Sequence, residues 1–378
     1  MTPFGGYYRG RRVLVTGQTG FKGSWLAAWL LELGADVSGM SLRLATEPSP
    51  LGEPPAERHL SAIAGDVSRP DDVVAAFDAH QPEVVIHLAA QPLVRRAYSE
   101  PLTTFETNVM GTVNVLDAAV RSPSTRAVVA VTTDKVYANH EWEWGYREID
   151  ELGGHDPYSA SKAAAEMAVR AYSAPGLQKL HRPAGAPRVG IASARAGNIV
   201  GGGDWAQDRL VPDVIKAIAA GRDVVLRNPT AVRPWQHVLE PLSGYLWLGA
   251  CLARHPDRHS RAYNFGPADR LGPVTVREMA ETLLRLWDGS ASQIVVEPDR
   301  GGPEAGRLGL DISRARTDLH WRPLWDLDRA LAEVVSWYRA AHDLSAPQLW
   351  ILSTAQIRDY TSDAGAAKVA WAMSGEMA

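Results

Sequence analysis

The stretch VLVTGQTGFKG at residues 13–23 decides the fold. A β-branched run ends at Gly17 and an apolar-rich segment follows at 21–33, which predicts a strand, a glycine turn and a helix. The spacing of Gly17, Gly20 and Gly23 lets the backbone approach a pyrophosphate without a Cβ in the way, at a helix N-terminus with a positive dipole end. A glycine-rich turn without a ligand is the alternative, but the strand and helix context favours a dinucleotide site.

Further apolar runs of strand length follow along the chain. They lie at 36–40, 84–88, 127–132 and 189–194, and helical patterns at 71–79, 103–120 and 159–173 separate them. Strands that alternate with helices are typical of βαβ units. The sequence therefore predicts an α/β fold with a Rossmann-type doubly wound parallel sheet and a smaller C-terminal α/β substrate lobe.

The regularity of the pattern falls after residue 194, where glycine, tryptophan and proline become frequent. We expect a dinucleotide-binding domain with the catalytic residues at 1–195 and a mainly substrate-binding lobe at 196–345, from which some segments return to the sheet. Helical patterns recur at 212–220, 241–254, 276–287 and 327–341. Beyond Ser345 the pattern weakens, which predicts that a C-terminal tail at 346–378 packs as an appendage or frays.

The composition excludes several classes of protein. The 378 residues are 46% hydrophobic, which is enough for a substantial buried core. A net charge of −4 and a pI near 6.3 argue against nucleic acid or an anionic membrane surface as a partner. Cys251 is the only cysteine, which fits a reducing compartment, and we expect the cytoplasm. We expect no membrane contact, because no apolar run is long enough to span a bilayer.

A tyrosine and a lysine four residues apart form a candidate catalytic pair. A free tyrosine has a pKa of ~10, so a tyrosinate needs a nearby cation, which Lys162 supplies one helical turn after Tyr158. Thr133, at the end of a predicted strand, adds the hydroxyl expected for hydride and proton transfer at a sugar-like alcohol. A surface tyrosine over a helical lysine is the alternative, which Thr133 and the glycine turn disfavour. Asp134 and Lys135 are a second acid/base pair that simple alcohol oxidation does not require.

The end of the second strand leaves the choice between NAD and NADP open. An acidic residue for the ribose 2′-hydroxyl is usual there, but residues 39–43 read GMSLR. Arg43 would suit a 2′-phosphate, although a solvated loop charge explains it better. Asp66, after the third strand, suits the adenine amino group or an ordinary turn. The candidate cofactor-binding residues are Gly17, Thr19, Gly20, Phe21, Lys22, Gly23, Arg43, Asp66, Val67, Leu88, Ala89, Ala90, Asn108, Tyr158 and Lys162.

Several motifs together resemble a known enzyme family. The glycine turn, Asn108 followed by VMGT, and the Tyr158–Lys162 pair look like the extended short-chain dehydrogenase/reductase family of nucleotide-sugar enzymes. Six segments resemble its CDP-glucose 4,6-dehydratases: GQTGFKGSW at 17–25, TDKVY at 133–137, EWEWGYRE at 141–148, DPYSASK at 156–162, RAGNIVGGGDW at 195–205 and RPWQHVLEPLSGY at 233–245. The resemblance implies NAD as cofactor, a CDP-hexose substrate, and a homodimer or homotetramer built on a paired-helix interface.

The resemblance also gives Asp134 and Lys135 a role. It implies that Tyr158 takes the C4 hydroxyl proton while NAD accepts the C4 hydride. Lys135 then removes the C5 hydrogen and Asp134 protonates the departing C6 hydroxyl, before the hydride returns to C6. Related dTDP-sugar dehydratases carry a glutamate where this chain has Lys135. A lysine base must be neutral and an acid must be protonated, which a close ion pair opposes, and our hypothesis is that substrate binding and water exclusion resolve this conflict.

The substrate residues follow from the same resemblance. Arg233 matches the family's phosphate-contacting arginine, and Asn198 matches a substrate-contacting asparagine. The candidate substrate-binding residues are Gln91, Asn198, Asp204, Trp205, Arg209, Leu210, Arg227, Arg233, Trp235, Glu304 and Arg307. Arg209 and Arg227 are equally explained as solvated surface charges. Pro303 stands where a histidine is common and Ala138 where an acidic residue is common, which leaves the exact sugar open.

Three functions compete on the sequence. The leading one is an NAD-dependent CDP-glucose 4,6-dehydratase, a lyase. The second is an NAD(P)-dependent epimerase, reductase or dehydratase acting on another nucleotide sugar; an epimerase or reductase would need neither Asp134 nor Lys135. A cofactor-binding sensor would predict a broken Tyr158–Lys162 pair, which is intact. No metal site is expected, because His87 reads as a core histidine bonded by backbone and no cluster of histidines and carboxylates occurs.

Overall fold

The computed structural model describes residues 2–42, 50–51, 60–267, 274–297 and 306–373. Its strands are β1 (Arg12–Thr16), β2 (Asp36–Ser41), β3 (Leu60–Ala64), β4 (Val84–His87), β5 (Ala127–Val131), β6 (Gly190–Ala196), β7 (Ile199–Val200), β8 (Val224–Leu226), β9 (Gln236–His237), β10 (Tyr263–Phe265) and β11 (Ile294–Val296). Seven of these pair in parallel in the order β10-β6-β5-β4-β1-β2-β3. The predicted doubly wound parallel sheet is therefore confirmed.

The centre of the sheet is buried on both faces. Val13 of β1 lies opposite Val37 of β2 and Val84 of β4, and every residue of β4 and β5 is buried. Such continuous apolar strands are typical of a parallel sheet covered by helices on both sides. The strand order reverses between β1 and β4, and ligands bind outside the carboxyl ends of the strands at such a switch point.

The described ranges contain fourteen α-helices. They are α1 (Phe21–Glu32), α2 (Pro70–His80), α3 (Val94–Ser99), α4 (Pro101–Phe105), α5 (Gly111–Arg121), α6 (Pro157–Ser173), α7 (Pro175–His181), α8 (Leu210–Ala219), α9 (Leu239–Arg254), α10 (Pro256–His259), α11 (Val276–Trp287), α12 (Ser313–Asp318), α13 (Leu327–Ala341) and α14 (Ala346–Ala366). The Asp156 side chain caps α6 by accepting from the N–H of Ser159, with Pro157 in the first turn. This cap places Tyr158 at the very start of α6.

The single helix expected at 103–120 is interrupted. A π-helical turn over Glu106–Met110 separates α4 from α5. Asn108 lies in this turn, and its amide bonds groups of Gln91 and Ser161. The hydrophobic pattern gave no sign of the interruption, because a π-turn changes the local hydrogen-bond ladder without ending the helical course of the chain.

The second half of the chain divides between the sheet and a smaller lobe. Helix α9 packs on β5 and β6, and β10 extends the sheet beside β6. Two small parallel sheets, β7–β9 and β8–β11, form the lobe together with α8 and α11. One hydrophobic cluster runs through both halves, including Val129 of β5 and Leu226 of β8. None of the helices described is long and apolar enough to cross a membrane.

The end of the chain, as far as residue 373, belongs to the core, so the expected appendage or fraying tail needs correction. Helix α14 packs against α1 and α13. Trp371 stacks on Phe4 with ring centroids 5.0 Å apart and on Tyr360 with centroids 5.8 Å apart. The sequence pattern of α14 is weak because polar side chains such as Ser353 and Thr354 lie on its buried face.

A buried carboxylate on α9 fastens this last helix. Glu240 is fully buried and accepts hydrogen bonds from the N–H groups of Leu324 at 2.9 Å and Trp325 at 2.6 Å. The Tyr360 hydroxyl donates a third at 2.8 Å. All three donors are uncharged, and burial raises the pKa of Glu240 from 4.5 to about 7. The folded protein therefore holds this proton more tightly than the unfolded chain does.

Glu240→Gln is expected to remove part of the pH dependence of stability. Because the folded-state pKa of Glu240 is raised, its proton stabilises the fold fully below pH 4.5. This contribution falls as the pH rises to about 7, by up to about 3 kcal/mol. Urea unfolding at pH values below 4.5 and above 7 checks this. The wild type should lose more free energy of unfolding than Glu240→Gln, whereas exposed Glu297→Gln should behave like the wild type; equal losses in Glu240→Gln and wild type would contradict the assignment.

Candidate active site

The glycine turn joins β1 to α1 at the carboxyl edge of the sheet. Gly17 has a φ of +75°, and a Cβ there would lie 2.9 Å from the backbone of Ala89. A Cβ on Gly23 would lie 2.1 Å from the Gly17 carbonyl oxygen. Gly20 precedes α1 in an extended conformation without a side-chain cap. The first N–H groups of α1 are therefore available to an anion, as a dinucleotide pyrophosphate requires.

A buried neutral histidine at the end of β4 fixes Thr16, next to the glycine turn. His87 Nδ1 lies 2.7 Å from the Thr16 hydroxyl and Nε2 lies 3.1 Å from the Thr112 hydroxyl. The expected backbone partners are thus wrong, because the ladder of the parallel sheet already uses those groups. Thr16 also accepts from the N–H groups of Leu88 and Ala89 at 3.2 Å. Burial lowers the pKa of His87 to about 3, so the ring stays neutral and fixes the floor of the site.

Thr133 and Tyr158 meet beside the end of β5. Thr133 follows β5 within two residues, and Tyr158 opens α6. Burial raises the pKa of Tyr158 to about 12, and the nearby Thr133 side chain opposes this shift. The tyrosine therefore needs further positive charge nearby before it ionises.

Lys162 supplies a charge on the same face of α6. Its side chain is buried, and Nζ donates to the Val131 carbonyl at 3.0 Å. Burial lowers the pKa of Lys162 to about 8, and the charge of Glu166 opposes the shift. The ammonium form therefore prevails at neutral pH and is lost under mildly alkaline conditions.

Asp134 and Lys135 form an ion pair directly beside the Thr133 hydroxyl. Asp134 Oδ1 accepts from the Thr133 hydroxyl at 3.0 Å and lies 3.7 Å from Lys135 Nζ. The Asp134 side chain is 1% exposed, whereas that of Lys135 is 33% exposed. Asp134 Oδ2 is buried and has no hydrogen-bond partner among the described residues. A buried carboxylate oxygen of this kind can accept a hydrogen bond from a ligand hydroxyl.

Positive charge outweighs negative charge around Lys22, in the first turn of α1. Burial, and then the charges of Lys162 and Arg209, lower the pKa of Lys22 to about 7. The charge of Asp134 opposes that shift. Two cations and one carboxylate thus act on Lys22, a balance of charge that favours an anionic ligand at this edge of the sheet.

Two predicted ligand contacts are occupied by protein groups. The Asn108 amide accepts from the N–H of Gln91 at 2.8 Å and donates to the Gln91 carbonyl at 3.1 Å and to Ser161 Oγ at 2.9 Å. The Gln91 side chain in turn bonds Leu93 and Thr104. Both amides fix the loop after β4 against α6, and their predicted contacts with cofactor and substrate stay predictions.

The remaining cofactor candidates lie along the same edge. Asp66 Oδ1 accepts from the N–H and hydroxyl of Ser68 at 2.9 and 2.8 Å, as in an ordinary aspartate turn. Val67 is buried, and a Cβ on Gly111 would lie 2.7 Å from its side chain. The partly buried members of the set are Thr19, Phe21, Leu88, Ala89 and Ala90. Arg43 lies outside the described residues.

Three substrate candidates carry buried polar atoms without a partner in the described part of the chain. They are Asn198 Oδ1, Trp205 Nε1 and Trp235 Nε1. Asn198 directly precedes β7 and Trp235 directly precedes β9, and the N–H of Gln236 donates to the Asn198 carbonyl at 3.1 Å. Trp205 packs edge-on against Tyr338 with ring centroids 5.2 Å apart. Buried polar atoms of this kind can form hydrogen bonds with a ligand.

The candidate arginines are held by protein groups. Arg209 Nη1 lies 3.0 Å from Asp204, and Arg227 Nη1 lies 2.7 Å from Asp208. Arg233 is buried and donates to the carbonyls of Val232 and Gly306. Leu210 opens α8, and the backbone of Arg307 bridges to Val232. Glu304 lies outside the described residues. The side chains of Arg209 and Arg227 are 35% and 45% exposed, and their predicted substrate contacts stay predictions.

Comparison with known proteins places this site in a family. Residues 13–266 match the NAD dependent epimerase/dehydratase family. The chain is 41% identical over 358 residues to the CDP-glucose 4,6-dehydratase of Salmonella typhimurium, covering 94% of this chain and 98% of that protein. The chain belongs to the NAD dependent epimerase/dehydratase family.

Other members of the NAD dependent epimerase/dehydratase family extend the comparison. The dTDP-glucose 4,6-dehydratase of Streptomyces antibioticus is 30% identical, covering 86% of this chain and 92% of that protein. The solved dTDP-glucose 4,6-dehydratase of Streptomyces venezuelae, with NAD bound, has a TM-score of 0.72 at 26% identity and covers 89% of this chain and 99% of that one. The predicted cofactor, NAD, is thus confirmed for the family, and the uncapped N-terminus of α1 suits its pyrophosphate.

The sequence analysis did not predict the buried ion pair and hydrogen bonds formed by Glu166 of α6. Glu166 and Arg195 form a buried ion pair at 2.8 Å, and Thr132 and Ser193 donate to the same carboxylate. A signal was present, since Glu166 follows Lys162 at the interval by which Lys162 follows Tyr158. Residues spaced by four share one face of a helix. The side chains of Tyr158, Lys162 and Glu166 therefore lie along one face of α6.

Proposed function

We propose that the protein is an NAD-dependent CDP-glucose 4,6-dehydratase that produces CDP-4-keto-6-deoxyglucose and water. One observation carries the proposal: the Thr133 hydroxyl donates to Asp134, and both Thr133 and Asp134 are close enough to Tyr158 to shift its pKa, which brings the redox groups and the Asp134–Lys135 pair to one place. An epimerase or reductase would use only the first set. The 41% identity to the Salmonella typhimurium enzyme supports the choice of nucleotide and sugar.

The redox half uses the groups at the start of α6. When bound, NAD accepts the hydride from C4 of the sugar and later returns it to C6. Tyr158 takes the proton of the C4 hydroxyl, and the buried ammonium of Lys162 stabilises the resulting negative charge. The nearby Thr133 side chain favours the ionised form of the tyrosine, because it opposes the rise of the Tyr158 pKa.

The elimination half uses the Asp134–Lys135 pair. The ionic pair carries the same number of protons as the neutral acid and neutral amine that the chemistry needs, so one proton transfer from Lys135 to Asp134 converts one form into the other. Substrate that excludes water favours the neutral form, because desolvation penalises both charges. Neutral Lys135 then removes the acidified C5 hydrogen, and protonated Asp134 donates to the departing C6 oxygen.

The same proposal assigns the substrate lobe. Arg233 and Arg209 supply guanidinium groups for the diphosphate, with Arg227 as a further donor. The Asn198 side-chain oxygen and the indole N–H groups of Trp205 and Trp235 have no partner within the described ranges, and we assign them to the sugar and nucleotide. Diphosphate binding then competes with Asp204 and Asp208 for the arginines that they hold. Leu210, Asp204, Gln91, Glu304 and Arg307 complete the proposed substrate set.

An isotope experiment tests the proposed function. The protein is incubated with NAD and CDP-glucose carrying deuterium at C4. The dehydratase is expected to move that deuterium to C6 of a 4-keto product, because the hydride leaves and returns within one turnover. Retention of the C6 hydroxyl would reject the dehydratase, and absence of turnover with every sugar nucleotide would favour a cofactor-binding sensor.

The proposed partner is a second copy of the chain. Exposed apolar side chains cluster on α3, α4, the π-turn and α6, which pack side by side: Tyr98, Leu102, Phe105, Met110 and Met167. Leu102 is 79% exposed and Met167 61% exposed. A shared apolar patch of this kind is typical of a subunit interface, and supports a homodimer or homotetramer. The cytoplasmic location, and the absence of nucleic-acid and membrane partners, stay predictions.

Leu102→Glu is expected to split this interface. A buried carboxylate without a partner is costly, so the variant should have half the mass of the wild-type assembly, whether that is a dimer or a tetramer of 41.0 kDa subunits. Sedimentation velocity at several concentrations measures the mass. Leu180→Glu, at an 82% exposed leucine on α7, is the control and should keep the wild-type mass. An unchanged mass in Leu102→Glu would contradict the proposed interface.

A further inference from the structure

Glu166 is a buried carboxylate on the catalytic helix to which the proposed chemistry gives no role. It lies one turn after Lys162 on α6, and its side chain is 3% exposed. Its oxygens accept from the Thr132 hydroxyl at 2.5 Å and the Ser193 hydroxyl at 2.7 Å. The Arg195 guanidinium donates twice more, at 3.0 and 2.8 Å. A carboxylate has about four acceptor sites, so protein groups use them all and Glu166 does not contact substrate.

The partners of Glu166 lie at the catalytic edge of the sheet. Thr132 is the residue between β5 and Thr133. Lys162 donates to the carbonyl of Val131, the last residue of β5. Two successive turns of α6 are therefore fastened, through Lys162 and Glu166, to the two residues directly before Thr133. Any movement of Glu166 would shift the strand end that carries the catalytic hydroxyl.

The charge of Glu166 also acts on Lys162. Burial lowers the pKa of Lys162 to about 8, and the charge that opposes this shift is that of Glu166. Although burial disfavours an ionised carboxylate, Arg195 and the two hydroxyls hold the pKa of Glu166 below its usual value. Glu166 thus remains negative and favours the protonated form of a lysine one turn away.

We propose that Glu166 is a positioning residue for the redox half of the reaction, which holds α6 against the strand end that carries Thr133 and keeps Lys162 protonated. It acts through Thr132 and Lys162 and touches no reacting atom. The link to turnover rests on the proposed function, whereas the charge state of Lys162 is measured without substrate. The competing explanation is a purely structural Glu166–Arg195 pair, which would leave the titration of Lys162 unchanged.

Selective labelling makes Lys162 directly observable. The chain has six lysines, so carbon-13 at the lysine ε position gives six signals, and Lys162→Met assigns one of them. In Glu166→Gln the Lys162 signal is expected to titrate about one pH unit lower than in the wild type, a tenfold loss of proton affinity. Glu166→Asp keeps the negative charge, so Lys162 in this variant should titrate close to its wild-type pH. Glu240→Gln removes another buried carboxylate, on α9, and should leave Lys162 unchanged.

A second variant covers the case in which Glu166→Gln does not fold. Glu166→Gln with Arg195→Met removes both charges, so no unpaired ion remains in the core. Lys162 should still titrate below its wild-type value, because the opposing charge came from Glu166. With NAD and CDP-glucose, the alkaline limb of kcat should move to lower pH by a similar amount.

The outcomes separate this inference from the proposed function. A Lys162 titration within a few tenths of a pH unit of the wild type, in whichever of the two variants folds, overturns the positioning role. Wild-type protein that does not turn over CDP-glucose refutes the proposed function instead. That result would not affect the titration of Lys162, which is measured without substrate. The effect of Glu166 on the charge of Lys162 would therefore still stand.

Discussion

Replacing Tyr158 by phenylalanine is expected to lower kcat for CDP-glucose by on the order of 10³-fold, with little change in KM. The substitution removes the hydroxyl that we propose takes the C4 proton, and it keeps the aromatic ring at the start of α6. Thr133 and Lys162 remain held by Asp134 and the Val131 carbonyl. Formation of the 4-keto-6-deoxy product at saturating NAD measures the loss.

A tyrosine on the same helix provides the matched control. Tyr172 lies near the end of α6 and its hydroxyl is 3.5 Å from Asp117, away from the catalytic edge. Tyr172→Phe should therefore retain wild-type kcat. If Tyr158→Phe kept turnover within tenfold of the wild type while both variants were folded, the assignment of Tyr158 as the C4 base would be wrong.

Replacing Lys135 by methionine is expected to stop the reaction after C4 oxidation. The loss of the C5 base should lower water elimination by about 10² to 10⁴-fold, whereas Tyr158, Thr133 and Lys162 are untouched. The sugar should then remain on the enzyme as a 4-ketose that still carries its C6 hydroxyl. Quenching with borodeuteride would place deuterium at C4 of the recovered CDP-hexose.

Solvent exchange at C5 gives an independent measure of the same step. In deuterium oxide, the wild type should introduce deuterium at C5 of the product, and Lys135→Met should not introduce it into the trapped ketose. Exposed Lys179→Met, on α7, is the control and should exchange like the wild type. Exchange at the wild-type rate in Lys135→Met would exclude Lys135 as the base. The next candidate would then be Asp134, whose Oδ2 has no partner in the part of the chain that the structure describes.

The two halves of the chemistry were visible in the sequence to different degrees. Tyr158 and Lys162 are four residues apart on one helix, so helical geometry alone predicts that their side chains are neighbours. Asp134 and Lys135 are adjacent, yet adjacency does not say whether their charged groups meet. The separation of 3.7 Å and the burial of only one partner depend on how the turn after β5 packs.

Local patterns also failed where the chain makes distant contacts. The strand run that contains His87 suggested a backbone-bonded core histidine, but its partners are hydroxyls of Thr16 and Thr112, on elements that only the fold brings together. The cofactor contact of Asn108 stays a prediction, but the pattern gave no sign that Gln91 and Ser161 bond the polar atoms of its amide. A motif identifies a residue type at a position, and the neighbours then decide which of its atoms are free.

The sequence by itself determined the parallel sheet, the glycine turn of Gly17 and Gly23, and the row of side chains from Tyr158 to Lys162. These features depend on strand and helix periods and on steric limits within a few residues. Only the tertiary structure decided that α14 belongs to the core and that Glu166 joins α6 to two strands. The reason is physical: burial of polar groups such as Glu240 and Glu166 requires partners far away in the chain, and the hydrophobic period carries no information about them.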